Sequence, residues 1–275
     1  MYWLGKWVYH LLNQAGWDPL RSLRSLAGLP RHVANFFAFC AKAPAGQRDF
    51  RWGVWMPCLG DRFETSGTAR GHYFHQDLWA AQRIFQNRPR RHVDVGSRLD
   101  GFVAHVAAFR ALEVFDVRAQ AAQIPNVTFR QADLAAEPFA FHGYCDSLSC
   151  LSVLEHIGLG RYGDTPDFAG HRKAWVHLHQ MLRPGGVLYF SVPIGETRIE
   201  FDAHRVFSLA HLSTWFAGTY RLRSFAYVND AGDLVQPKSW TRAAWENNFG
   251  CRFGCGLFEL QKIKSPRVKS HEKNR

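Results

Sequence analysis

Apolar residues recur at helical spacing near the start of this chain and in short alternating runs further on. In residues 2–14 the helical set is Trp3, Leu4, Trp7, Val8, Leu11 and Leu12, and in residues 18–27 it is Leu20, Leu23 and Leu26. Gly28 and Pro30 predict the end of the second helix, and residues 31–41 predict a third, short one. Residues 43–72 lose periodicity and are rich in Gly, Pro, Arg and Trp, the composition of an irregular connection able to fold over a site. Asp77 is the expected cap of a helix with Leu78, Ala81, Ile84 and Phe85 on one face. Strands then follow at 92–95, 112–116, 127–131, 144–150 and 187–192, with helices at 101–110 and 171–182 and a long loop at 157–170.

Alternation of this kind predicts an α/β fold whose parallel sheet is covered on both faces. The end of the chain differs. Residues 220–228 alternate as a strand, Asn229-Asp-Ala-Gly-Asp233 turns, and 256–262 is another strand. Pro184-Gly185-Gly186 reads as the turn that admits the strand at 187–192. The expected organisation is a helical extension with its connection (1–70), an α/β domain (71–262) and a basic disordered tail (263–275).

Composition narrows the setting. At 275 residues and 47% apolar content the chain can bury a sizeable core. No apolar run is long enough to cross a bilayer, and Lys6, His10 and Asn13 interrupt the first apolar stretch, so a secretory leader is not expected. The expected location is cytoplasmic, with attachment to the inner face of the membrane as an extension of it. Cys40, Cys58, Cys145, Cys150, Cys251 and Cys255 contain no Cys-x-x-Cys pair and read as reduced thiols, with no metal site. The net charge of +11 draws on Arg21, Arg24, Arg31 and Arg48 and on Lys262, Lys264, Arg267 and Lys269. Such charge suits an anionic membrane, nucleotide sugars, lipid-linked saccharides or nucleic acid; the plainer reading is a solvated surface.

The strand ends carry the candidate chemistry. His92-Val-Asp-Val-Gly-Ser-Arg-Leu-Asp-Gly101 places polar and Gly positions directly behind a short apolar strand. Glu113-Val-Phe-Asp116 and Gln131-Ala-Asp133-Leu134 end the next two strands in acid, and Tyr144-Cys-Asp-Ser-Leu-Ser-Cys150 is the fourth. This order resembles the class I S-adenosylmethionine-dependent methyltransferases over residues 70–262. The resemblance implies a Rossmann-like, seven-stranded, mostly parallel sheet with an antiparallel last strand, and S-adenosylmethionine as cofactor. It implies that Asp94, Gly96 and Ser97 receive the amino-acid end of the cofactor, Asp116 the ribose and Asp133 the adenine, with Tyr73, Leu134 and Ser149 completing the cofactor site. More narrowly, Gly71-His-Tyr-Phe-His-Gln-Asp77, the His92 segment, Leu154-Glu-His-Ile-Gly-Leu-Gly-Arg-Tyr-Gly-Asp164 and Ala203-His-Arg-Val-Phe207 look like a domain-of-unknown-function branch. Its bacterial members often resemble proteins of polysaccharide-gene clusters. The turn departs from the superfamily pattern at Arg98 and Asp100, where Gly is usual; the two can pair and close the loop, or crowd the donor. A dinucleotide is disfavoured, because Gly96-x-x-x-x-Gly101 is not a Gly-x-Gly-x-x-Gly turn.

Methyl transfer is an in-line displacement that depends mainly on positioning, and a hydroxyl acceptor also needs a base. Glu155 and His156 after the fourth strand and His204 after the fifth are the candidate catalytic groups. His75, Arg161, Tyr162, Asp164, Asp202 and Arg205 are the candidate acceptor contacts, from the segments 72–77, 155–164 and 198–205. His177 and His179, two apart on a helix, point to different faces and share no metal. The leading reading is methyl transfer to a polar acceptor, either a sugar-containing one such as a polysaccharide or glycan precursor or another polar metabolite, the sugar part being what the resemblance implies. A second is a catalytically inactive methyltransferase-fold binding or assembly protein. A third, a nucleic-acid methyltransferase, lacks an Asn/Asp-Pro-Pro-Tyr/Phe motif and a recognisable RNA-binding module. The oligomeric state is open.

Overall fold

The computed structural model describes residues 8–9, 11–43 and 50–264. Trp3, Leu4, Lys6, Trp7, His10 and Arg48, and the basic tail with Arg267 and Lys269, lie outside the described residues. The chain divides into two compact units, Met1–Thr68 and Ala69–Arg275.

In the first unit a single helix, α1 (Pro19–Ala41), replaces the two expected on either side of Gly28 and Pro30. Asp18 starts it by accepting from the N–H groups of Leu20 and Arg21 at 3.0 and 3.1 Å, with Pro19 in the first turn. Pro30 cannot donate to the carbonyl of Leu26, but Leu26 is exposed and water can serve that oxygen, so the helix continues. Gly28 is not a stop. It is a point of close approach, where any side chain would strike the backbone of Leu59. The following segment is irregular, as its composition predicts, apart from a 3₁₀ turn at Asp61–Phe63. It sets Trp52 and Trp55 against Phe36, with ring centroids 5.8 and 4.8 Å apart.

The second unit opens with α2 (His72–Asn87), which starts at Gly71 and not at Asp77; the carboxyl of Asp77 is inside the helix and buried. Then come β1 (His92–Val95), α3 (Ala104–Ala107), β2 (Leu112–Asp116), β3 (Val127–Gln131), β4 (Cys145–Leu151), α4 (Gly170–Met181) and β5 (Leu182–Ile194). After them are β6 (Arg198–Glu200), β7 (His204–Val206), α5 (Leu209–Phe216), β8 (Tyr220–Val228), β9 (Leu234–Val235), α6 (Arg242–Glu246) and β10 (Gly254–Lys262). The main sheet has eight strands in the order β3-β2-β1-β4-β5-β10-β8-β9. Strands β1 to β5 pair in parallel, and β10 inserts antiparallel between β5 and β8. This is the Rossmann-like methyltransferase order with a reversed last strand. The eighth strand is the two-residue edge β9, too short to carry a periodic signal in the sequence.

The pleat of β5 divides the core. Leu188, Phe190 and Val192 enter one cluster with Leu178 of α4 and Leu212 of α5, while Val187 and Tyr189 enter the other with Trp79 and Ile84 of α2. Each fully buried Leu or Phe contributes roughly 1.5–3 kcal/mol of burial. The expected turn at Pro184-Gly185-Gly186 is instead a bulge within β5. Cys145 pairs with Leu182 and Ser147 with Val187, so β5 absorbs the extra residues. The helix expected at 101–110 is shortened to α3 because Gly101 is non-helical; a side chain there would meet the carboxyl of Asp77.

Candidate functional site

A cavity of about 350 Å³ opens at the carboxyl ends of β1, β2 and β4, with the segment after β3 alongside. Its wall takes Gly96, Ser97 and Arg98 from the turn after β1, and Asp116 and Arg118 from the end of β2. Asp133 and Leu134 follow β3, and Ser152 and Val153 follow β4. His156, Arg161, Tyr162 and Asp164 close it from the loop beyond β4, and Tyr73, Gln76 and Asp77 from α2. Of the expected cofactor set, Tyr73, Gly96, Ser97, Asp116, Asp133 and Leu134 are therefore brought together.

The turn after β1 is built from beneath. Asp94 is fully buried and accepts from Ser97 N–H at 3.0 Å, from Ser97 Oγ at 2.8 Å and from Ser149 Oγ at 2.5 Å. Burial pushes its pKa up to about 6 against these hydrogen bonds. Both oxygens are thus committed to the turn, and neither Asp94 nor Ser149 reaches the cavity wall, contrary to the expected cofactor contacts. Gly96 follows with φ +70, and a Cβ there would come within 2.8 Å of Val153, so the turn requires glycine. Arg98 and Asp100 do pair, at 2.9 and 2.6 Å, in an exposed fork.

Two residues that sequence reasoning missed define the polar ends of the cavity. Asp77 is 7% exposed, and its side chain accepts from Gln76 Nε2 at 3.1 Å and from the backbone of Phe102. Burial raises its pKa to about 6. No cation pairs with it among the described residues. A signal existed: Asp77, Ala81 and Ile84 fall at i, i+4 and i+7, which places an acid on the core face of a helix. Arg118 is the second. Its guanidinium grips Asp116 through Nε and Nη2 at 2.9 and 2.7 Å, and its own N–H adds a third contact at 2.9 Å. The same guanidinium lies 4.9 Å from the ring of Tyr162. A ribose at Asp116 has to compete with Arg118.

The acceptor side separates the candidates. His156 lines the cavity and donates from Nδ1 to the carbonyl of Ala203 at 2.7 Å, which leaves Nε2 as the acceptor nitrogen. Nε2 makes no hydrogen bond among the described residues; its nearest acid is Glu155, at 3.9 Å. Burial lowers the His156 pKa to about 4. Glu155 itself is fully buried behind the wall, and burial raises its pKa to about 8. It does not line the cavity.

His204 is turned aside by the β6–β7 hairpin and meets Glu200 at 3.0 Å, away from the cavity. Arg205 is buried and structural: its Nη1 donates to the carbonyls of Glu155 and Ile157 at 3.3 and 2.8 Å, which pins the loop. Asp202 lies exposed in the hairpin turn, and His75 also lies outside the cavity wall. Arg161, Tyr162 and Asp164 do line it. Asp164 accepts from Gly158 and Gly160 N–H at 2.7 and 3.3 Å and so shapes the loop, while Arg161 donates to Ala203 at 2.9 Å. His177 donates from Nδ1 to the Leu134 carbonyl at 2.7 Å and meets Glu137 through Nε2 at 2.9 Å, well apart from His179, which faces Tyr220. Among the described residues no three His, Cys, Asp or Glu side chains converge to hold a metal.

The chain matches, over residues 109–244, the model of a family described as Caenorhabditis protein of unknown function, DUF268. No curated protein matches it. Among solved structures it is similar to the N-methyltransferase NodS from Bradyrhizobium japonicum WM9 in complex with S-adenosylhomocysteine, at 16% identity and a TM-score of 0.44, over 70% of this chain and 88% of that one. It is also similar to the 1,6-didemethyltoxoflavin-N1-methyltransferase of Burkholderia thailandensis, at 15% identity and a TM-score of 0.48, over 70% and 84%. A third is the [4+2]-cyclase SpnF, at 13% identity and a TM-score of 0.47, over 88% and 97%.

Proposed function

We propose that the second unit transfers a methyl group from S-adenosylmethionine to a polar acceptor. The observation that carries this is the convergence of Gly96, Asp116 and Asp133 with Leu134, from three successive strand ends, on one cavity. The residues fit the group. An unpaired, buried carboxyl at Asp77 suits a cationic amino group, Asp116 suits vicinal hydroxyls, and Asp133 beside apolar Leu134 suits a base with an exocyclic amine. When bound, the cofactor supplies an electrophilic methyl on a sulfonium. The chain's own part is to hold it, exclude water and take a proton at His156 Nε2. The acceptor we place among hydroxyl-bearing metabolites, sugar-containing ones included. The support for this is the resemblance of the sequence and the polar rim of Tyr73, Arg161 and Tyr162.

Calorimetric titration with S-adenosylhomocysteine tests the reading. Binding is expected, and Asp116→Ala should weaken it by about 1–3 kcal/mol, because buried hydroxyls lose their acceptor. Absence of heat in the unaltered protein at high ligand concentration would favour the inactive, binding-protein reading, for which the Arg98–Asp100 closure is the specific support.

The amino-acid end has its own test. Asp77→Asn should weaken S-adenosylhomocysteine by roughly 1–3 kcal/mol, the range for a charged hydrogen bond. It should spare methylthioadenosine, which lacks the ammonium. The sign with pH follows from the raised pKa. A protonated Asp77 offers the ammonium no charge, so affinity should fall as pH drops through about 6. Equal losses for both ligands would make Asp77 a structural residue.

A further inference from the structure

Helix α1 packs within its own unit through its less apolar side. Ser22, Ser25, Gly28, His32, Phe36 and Cys40 recur every three or four residues, and they are the helix positions with reduced exposure. Gly28 abuts the Leu59 backbone, and His32 and Phe36 contact Trp55 at ring distances of 5.5 and 4.8 Å. A second stripe is left uncovered. At 100° per residue, Leu20, Leu23, Leu26, Val33 and Phe37 fall within about 140° of the helix circumference. All five are exposed, between 43% and 67%.

What flanks this stripe identifies its partner. Arg24 and Arg31 lie beside it on the helix, and residues 19–43 contain no Asp or Glu. Arg side chains can bury their stems along an apolar surface and keep the charge at its edge. No helix among the described residues is long and apolar enough to cross a membrane, so the helix would lie in the surface and not through it. A second copy of the same face is a poor partner, because two such faces would bring two rows of arginine together without an acid between them.

We infer that the first unit docks on an anionic lipid bilayer surface, with the Leu20–Phe37 stripe in the acyl boundary and Arg24 and Arg31 against headgroup phosphates. This inference is independent of the methyl-transfer reading. It concerns α1 and not the basic tail beyond residue 264.

Flotation of the full chain with phosphatidylcholine vesicles, with and without phosphatidylglycerol, is the test. The protein is expected to float with the anionic vesicles at least tenfold more than with the neutral ones, and added salt should reduce this. Leu23→Glu with Leu26→Glu should abolish flotation. Both residues are exposed, so circular dichroism should be unchanged. Each Arg→Gln change at 24 or 31 should weaken attachment about fivefold. Equal flotation of the double Leu variant and the unaltered protein would overturn the inference, since other basic residues would then hold the vesicle. Failure to float with either vesicle would overturn it as well. So would a dimer that the double Leu variant dissociates in the ultracentrifuge, if vesicles leave the unaltered protein untouched.

Discussion

With His156 replaced by Ala, methyl transfer is expected to slow by about 10²–10⁴-fold while S-adenosylhomocysteine still binds, the usual loss when a positioned general base is removed. The expectation follows from geometry before pKa. The Ala203 carbonyl fixes the tautomer by taking the Nδ1 proton, so Nε2 is free to accept one. A pKa lowered to about 4 keeps the ring neutral throughout the physiological range. The pH profile of turnover at saturating donor should therefore show no step near 6.5, the ordinary histidine value. At limiting donor it should fall below about 6 as Asp77 takes up a proton. The measurement is passage of labelled methyl from S-adenosylmethionine into a small-molecule cell extract, in single turnover. Full transfer by His156→Ala would mean that the base lies elsewhere or that the acceptor needs none.

The contrast between His156 and His204 shows where sequence stops being informative. Both follow strands and both sit in polar segments. Which of them faces the cavity depends on the hairpin β6–β7, which turns His204 onto Glu200 and presents Ala203 to His156. Nothing in the spacing of residues 198–206 predicts that three-residue pairing. The strand ends were legible for the opposite reason. β2 ends in Asp116, β1 and β4 are followed directly by Gly96-Ser97 and Ser152, and a parallel sheet puts all such ends on one side. Even there the pattern located positions better than partners. Asp94 stands at the expected place, yet spends its oxygens on Ser97 and Ser149, and Asp77, taken for a helix cap, presents the free carboxyl. Arg118 could have been found, since an Arg two residues after an acid at a strand end is within reach of it.

Between pH 6.5 and 8 the stability of the unaltered protein is expected to fall relative to that of Glu155→Gln. Burial raises the Glu155 pKa to about 8 from 4.5, so the folded chain holds a proton that the unfolded chain releases above 4.5. Stability from this group is fully present below 4.5 and is lost as pH rises through 8. Each unit of pH in that window costs about 1.4 kcal/mol, or roughly 2 kcal/mol from pH 6.5 to 8. The buried histidines His72, His92, His156, His171, His179 and His204 have lowered pKa values and act in the opposite sense up to about pH 7.5, equally in both proteins. Asp77 and Asp94, raised to about 6, have largely titrated by then. Denaturant unfolding of both proteins at several pH values is the check, because the difference between them isolates Glu155. The unaltered protein should lose stability relative to the Gln variant across the interval; parallel curves would show that Glu155 is not the group responsible. Because Glu155 lies buried behind the cavity wall, Glu155→Gln should leave the affinity for S-adenosylhomocysteine intact.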